Sequence, residues 1–267
     1  TELKKKIGIV PFEVQTAQGG QVTREIFQDY VLEALQTECP GQVFIQPGDA
    51  GYPPILGRLP RFDNGVIDNL SLALIGRQLG LNAIIFGTLT SISFEEKEKG
   101  IWFFKGIRYY VRADMLVEVY DTETAAKLLD RSITRTIRID ELDAQMIRRE
   151  KRIEIGLIEE LIEIMAGVID DKICTVADDQ YWKSYILSSG EEEVMIASGE
   201  KYGLRPGRVL EVYDSNTIID GMQKQRYFMP GKKVAEIQVR TVAADRSSAI
   251  VLSGGDIRQW SVVKDKR

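Results

Sequence analysis

The order of apolar and polar residues divides the chain into a first part with helices and a second part almost without them. Ile7, Ile9, Val10 and Phe12 follow three lysines and predict a strand within 5–14. Ile26, Phe27, Tyr30, Val31, Ala34 and Leu35 recur at helical spacing, which predicts a helix from an N-cap at Thr23 to about Glu38. Cys39-Pro40-Gly41 ends it, and Val43-Phe44-Ile45 reads as the next strand. A second helix is predicted over 66–79, with Ile67, Leu70, Leu74, Ile75 and Leu79 on one face and Gly80 just past its end.

The next elements are long. Ala83 to Gly87 is a near-continuous apolar run, as in a central strand, and it alternates onward to Phe94. From Ile107 to Val119 every second residue is apolar or aromatic: Ile107, Tyr109, Val111, Ala113, Met115, Val117 and Val119. That period of two implies a sheet with one buried face. A turn at 121–125 leads to a partner strand carrying Leu129, Ile133, Ile137 and Ile139. The connection 95–104 holds the charged run Glu95 to Lys99 and the aromatic run Trp102-Phe103-Phe104. One long helical region is predicted over 141–171. Its charged start, Arg148 to Arg152, reads as a solvated face, and Leu157, Ile158, Leu161, Ile162, Met165, Val168 and Ile169 form a stripe that covers the sheet.

After a linker at 177–181 the texture changes. Short β-type runs at 185–187, 193–196, 208–213, 234–239 and 248–252 are broken by glycine and charge, as in a small β-barrel or sandwich. The charge changes too. Residues 180–267 hold 14 basic and 11 acidic side chains, leaving 21 and 29 before them, so the two parts carry +3 and −8. The fold expected is α+β: a mixed-sheet α/β domain over 1–179 with helices on one face, then a β-barrel or sandwich over 180–267.

Composition removes much chemistry. The 267 residues contain no histidine, which excludes a Ser-His-Asp triad, a Cys-His pair, an HExxH helix and any His-ligated metal. The loop at 15–22 lacks the lysine and spacing of a phosphate loop. The acidic runs at 140–143, 170–171 and 191–193 lack the spacing of a calcium loop and read as solvated surface. No cofactor, metal or catalytic residue is expected. A hydrolase working on carboxylates alone is the residual enzymatic option. Net charge −5 and a pI near 5.1 argue against nucleic acid as a partner. No apolar run is long enough to cross a membrane as a helix. Two cysteines, Cys39 and Cys174, suit either buried thiols or one bridge in an oxidising compartment.

Contact chemistry is what remains. Residues 47–62 hold four of the eight prolines together with Tyr52, Ile55, Leu56, Leu59 and Phe62. A loop this long either folds over the sheet on its own apolar side chains or binds a partner. Tyr52, Pro53, Ile55, Leu56, Trp102, Phe103 and Phe104 are the candidate partner-binding residues.

Two stretches carry a family resemblance. Leu74-Ile75-Gly76-Arg77-Gln78-Leu79-Gly80-Leu81-Asn82-Ala83-Ile84-Ile85-Phe86-Gly87-Thr88-Leu89 resembles the helix-turn-strand of the TolB N-terminal-like and curli-secretion lipoprotein families. Val119-Tyr120-Asp121-Thr122-Glu123-Thr124-Ala125 is similar to their strand-end turn, with Ala125 where those families have glycine. Gly203 to Tyr213 and Lys232 to Val239 resemble the C-terminal β-domain of flagellar assembly protein T. The resemblance implies a bacterial envelope protein, exported to the periplasm or outer membrane. Its partners would be other envelope proteins, or further copies of itself in a homo-oligomer, and it would have no catalytic residues. Any contact with a membrane is expected through a lipid anchor upstream of Thr1. A periplasmic setting permits a Cys39–Cys174 bridge. The function expected is scaffolding or regulation of an outer-membrane or flagellar assembly. The alternative is a small-ligand or glycan binder with its pocket between the domains.

Overall fold

The computed structural model describes residues 2–18, 20–100, 106–190 and 193–266. The first part builds a six-stranded sheet from β1 (Lys5–Ile9), β2 (Glu13–Val14), β3 (Gln42–Ile45), β4 (Ala83–Lys99), β5 (Gly106–Asp121) and β6 (Lys127–Ile139). The order is β3-β1-β4-β5-β6, with β2 paired to β4 beyond the end of β1. β1 runs parallel to both neighbours, whereas β4, β5 and β6 form an antiparallel meander. The sheet is therefore mixed, as the patterning predicts.

Alternation along β1 and β4 sends side chains to both faces. Ile7, Ile9, Ile85 and Leu89 point to one core, which continues through Val111, Met115 and Val119 of β5. Helices α1 (Gly20–Glu38) and α4 (Ile155–Asp179) cover that face with Phe27, Val31, Leu35, Ile158, Leu161, Ile162 and Met165. Ile84, Phe86 and Tyr120 point the other way, toward Leu72 of α2 (Asn69–Leu79), Leu56 and Leu59 of the proline-rich loop, and Ile67 just before α2. The long helices thus share one face, and the short helix and loop cover part of the other.

Several boundaries differ from the sequence reading. Thr23 is not an N-cap: it is fully buried inside α1, and its hydroxyl donates to the Gln18 carbonyl at 3.0 Å. The region 141–171 is two helices, because α3 (Glu141–Glu150) ends at Lys151 with φ 57° and α4 begins four residues later. No glycine or proline marks that break. The charged run Glu95 to Lys99 belongs to β4, which pairs with β5 as far as Lys99 opposite Gly106.

Cys39, just past α1, and Cys174, inside α4, form a disulfide with Cα atoms 5.4 Å apart. It ties together the two helices that cover one face. The barrel part comprises β7 (Lys183–Ser189), β8 (Glu193–Ile196), β9 (Val209–Tyr213), β12 (Lys233–Val242), β13 (Ser247–Gly254) and β14 (Val262–Asp265). These strands close in the order β12-β13-β8-β7-β14-β9 around Ile186, Ile196, Leu210, Val212, Ile237 and Val239. Between β9 and β12 the chain leaves the barrel as a two-stranded hairpin, β10 (Ile218–Asp220) and β11 (Arg226–Phe228).

The barrel meets the first part at α2. Arg77 near the end of that helix is fully buried, and burial pushes its guanidinium below its usual range. Nε donates to the Thr122 carbonyl at 3.1 Å, and Nη2 donates to the carbonyls of Glu123 and of Ser215, the latter at 3.0 Å. The guanidinium lies 3.6 Å from the centre of the Phe228 ring. One side chain thus joins the β5–β6 turn, the exit from β9 and the hairpin. Gly76 makes the approach feasible, since a Cβ there would stand 2.1 Å from Thr122 Cγ2. Ala125 in the same turn takes a left-handed φ of 64°, a conformation that glycine adopts more readily than alanine.

Two stability outcomes follow. Arg77→Leu strands three buried carbonyls and is expected to cost about 3 kcal/mol or more in denaturant unfolding. An unfolding midpoint equal to that of the unaltered chain would contradict the role given to Arg77. The bridge spans 135 residues of sequence, so replacing both cysteines with serine should lower stability by about 2–5 kcal/mol. Native thiol titration should find no free thiol, and reduction should release two.

Candidate partner-binding cleft

The chain leaving β1 stays on β4, with the Val10 N–H donating to the Ile85 carbonyl and β2 pairing with β4, and a cleft opens beside it at the carboxyl end of β1. Carboxyl ends of parallel strands are where open α/β sheets present ligand sites. The cleft has a volume of about 890 Å³. Phe12, Ile55, Leu59, Pro60 and Ile75 provide its apolar wall, and Arg24, Arg58, Arg61 and Glu13 its charges.

The loop is built from the inside outward. Pro53 opens a 3₁₀ turn over Pro54–Gly57, accepting from the Leu56 N–H at 2.9 Å. Leu56 is 1% exposed and packs against β1 at Gly8, where a Cβ would meet Leu56 Cδ1 at 3.2 Å and Leu81 at 2.6 Å. Tyr52 is half-buried, and its hydroxyl lies 2.8 Å from the Ile9 carbonyl and 3.0 Å from that of Leu56. Burial pushes that phenol above its ordinary range. Ile55, between them, is 42% exposed.

Of the loop residues singled out in the sequence, only Ile55 is therefore both apolar and open to a partner. Leu56 is a core residue, and Tyr52 is an anchor that holds the loop on the strand. Pro53 shapes the turn. Trp102, Phe103 and Phe104 lie outside the described residues.

Sequence reading passed over the arginines, because nothing in their spacing links positions 24, 58 and 61. Arg61 is occupied: Nη2 reaches both oxygens of Glu13 at 3.1 and 3.3 Å, Nη1 donates to the Gly65 carbonyl at 2.8 Å, and the group lies 5.7 Å from the Phe86 ring centre. Arg24 and Arg58 are exposed and have no ion-pair partner among the described residues. The cleft therefore combines an apolar wall with two free guanidinium groups. That arrangement suits a segment carrying both a carboxylate and an aliphatic or aromatic side chain.

A second cleft, of about 760 Å³, lies where the barrel meets the amino-terminal arm. Tyr181, Tyr213, Lys264, Arg208, Glu211 and Asp265 are among its lining residues. Its polar groups bind each other. Arg208 pairs with Asp265 at 2.6 Å, Lys264 with the buried Glu123 at 2.8 Å, and the Tyr213 hydroxyl donates to Glu211 at 2.8 Å. Tyr181 donates to Glu123 as well.

Behind this cleft, Lys183 and Asp121 form an ion pair, both nearly inaccessible to water. Burial pushes the Asp121 carboxyl up. The Lys183 ammonium and hydrogen bonds from the Thr124 hydroxyl and N–H outweigh it and hold the group below its ordinary value. Among the described residues, no group of three or more His, Cys, Asp or Glu side chains is placed to hold a metal ion. Among the same residues, no helix is long and apolar enough to cross a membrane.

No family model matches the chain, and no curated protein does. Several solved structures do, at low identity. The hypothetical protein CT253 from Chlamydia trachomatis is 9% identical with a TM-score of 0.35, over 64% of this chain and 99% of that one. Lipoprotein GNA1162 from Neisseria meningitidis is 13% identical with a TM-score of 0.33, over 62% and 99% of the two chains. TolB from Acinetobacter baumannii is 11% identical with a TM-score of 0.30, over 92% of this chain and 57% of that one. Likenesses this distant assign no function to the chain.

A depressed carboxyl pKa stabilises the folded state above the unfolded value, and that contribution is lost as pH falls through the folded value. Thermal unfolding should therefore lose stability as pH drops below about 4, the ordinary Asp range. A chain with Asp121→Asn and Lys183→Met should show a shallower decline. Identical pH profiles for the two proteins would rule out a role for this pair in acid sensitivity.

Proposed function

We propose that the chain is a non-enzymatic protein of the bacterial cell envelope that works by binding other envelope proteins. The cleft at the end of β1 is the contact site in this reading. The observation that carries it is the placement of exposed Ile55 beside Arg58 and Arg24, on a loop held rigid from beneath by Leu56 and Tyr52. A side chain held in place by its neighbours loses little further freedom on binding. The Cys39–Cys174 disulfide supports an oxidising compartment such as the periplasm. The resemblance of residues 74–89 to envelope families points the same way. Scaffolding or regulation of an outer-membrane or flagellar assembly is the role proposed, and the bound segment is acidic as well as apolar.

Ligand binding at the domain boundary is the weaker reading. The polar groups there converge, as a pocket between domains requires, but they already neutralise one another.

The test compares affinity capture from solubilised bacterial envelopes by the unaltered chain and by a chain carrying Ile55→Ser and Arg58→Glu. Both substituted side chains are exposed, so the thermal midpoint should not move. Envelope proteins held by the unaltered chain should be lost or weakened about tenfold with the variant. Equal capture of the same proteins by both would remove the cleft from the function. Stabilisation by a neutral sugar or small metabolite, abolished by Tyr213→Ala, would favour the boundary cleft instead.

A further inference from the structure

The β10–β11 hairpin presents an apolar surface that the contact site above does not use. Its pairing places Ile218 opposite Phe228 and Ile219 opposite Tyr227, and the Met229 N–H donates to the Thr217 carbonyl at 2.8 Å. Residues opposite each other in an antiparallel pair share a face, and faces alternate along a strand. Phe228 faces inward and is buried with Leu70, Ala73 and Ala125. The other face carries Ile219 and Met229, 45% and 46% exposed; Ile218, opposite Phe228 but nearer the free edge, is 47% exposed as well, and Met222 at the tip is 85% exposed.

This surface is rigid. Asn69 Nδ2 donates to the Arg226 carbonyl at 2.7 Å, and the Arg226 N–H donates back to Asn69 Oδ1 at 3.2 Å. The tip closes on itself, with the Gly221 N–H donating to the Gln225 carbonyl at 2.7 Å and the Gln225 N–H to that of Met222 at 3.0 Å. These tip amides need no water.

Charge around the ridge is opposite in sign to that of the chain. Residues 218–232 contain one acid, Asp220, and three bases, Lys224, Arg226 and Lys232, within a protein of net charge −5. None of the three bases has an ion-pair partner among the described residues. The most exposed apolar residues of the hairpin, Ile218, Ile219, Met222 and Met229, are flexible and unringed, and Tyr227 on the Ile219 face is half-buried against Gly221. Aliphatic tips flanked by free cations are the combination that seats a segment in the headgroup layer of an anionic bilayer. We propose that this hairpin is a membrane-surface contact, with Met222, Ile219 and Met229 entering the interface and Lys224 and Lys232 pairing with lipid phosphates. The β11 edge is bonded to Asn69 and the Thr124 carbonyl, and the open β10 edge limits the hairpin to shallow seating. The proposal stands on the hairpin alone and does not depend on the β1 cleft.

The test is co-sedimentation of the full chain with vesicles of phosphatidylcholine alone or mixed with phosphatidylglycerol. Binding is expected to the anionic vesicles, to weaken with added salt, and to exceed binding to the neutral ones. Ile219→Ser with Met222→Ser should lower partitioning on the order of tenfold, with an unchanged thermal midpoint because both side chains are exposed. Lys224→Glu with Lys232→Glu should abolish the preference for phosphatidylglycerol. Failure of the unaltered chain to bind anionic vesicles would overturn the proposal, as it would if a protein were the true occupant. Equal binding to both vesicle types, or full binding by the serine variant, would overturn it too.

Discussion

Arg77 is the constraint on which the arrangement of the molecule depends. A buried guanidinium is costly unless nearly every donor finds an acceptor. Here the three acceptors come from two separate segments: carbonyls of Thr122 and Glu123 in the β5–β6 turn, and that of Ser215 after β9. Satisfying one side chain therefore fixes the sheet, the barrel exit and α2 relative to one another. Phe228 closes the site from the hairpin side, 3.6 Å from the guanidinium. The neighbouring residues fit the same geometry. Gly76 lets the helix touch Thr122, and Gly80 lets its end abut Ala197 of the barrel, where a Cβ would stand 2.3 Å from the Ala197 carbonyl. Asn82 continues the seam, its Nδ2 donating to the Tyr181 carbonyl at 3.4 Å just before the barrel while its Oδ1 accepts from the Lys6 N–H at 3.1 Å. The stretch 74–89 that carries the family resemblance is thus also the stretch that joins the two parts of the chain.

That rigid junction positions both exposed features. Ile75 of α2 forms part of the β1 cleft, and Asn69 at the other end of the same helix grips the hairpin. The cleft and the hairpin are consequently held on one framework. On the opposite face of the sheet, the disulfide joins α1 to α4 and stiffens the layer beneath the meander. Exposed apolar groups on a stiff frame keep their geometry when free, which lowers the ordering cost of any contact they make.

Periodicity made most of the fold legible. The period-two run from Ile107 to Val119, the helical stripes of α1 and α4, and the short glycine-broken runs after residue 182 each reflect a local pattern of burial, and each formed the element predicted. Misses occurred where long-range packing overrode local signals. Lys151 takes a left-handed conformation without glycine, so the α3–α4 break has no sequence marker; it is held by the Ile153 N–H donating to Gln18 Oε1 at 3.0 Å, a residue 135 positions away. Glu95 to Lys99 is too charged to read as strand, yet β5 supplies it with a full set of partners. Leu56 looked like a contact residue because an apolar side chain in a proline-rich loop has the same letter code whether it points inward or outward.

By itself, the sequence determined where most strands and helices form, which faces are apolar, and that histidine-based chemistry is absent, because these depend on local spacing and on composition. It also held the signature of the junction, in Gly76, Arg77 and Gly80, without revealing its purpose. Only the tertiary structure decided that Arg77 is buried among carbonyls from distant segments and that Cys39 meets Cys174. It likewise decided that Ile55 faces outward while Leu56 faces inward, and that Met222 stands at an exposed tip. Each of these depends on residues far apart in the chain being brought together, and no local pattern encodes which of them will meet.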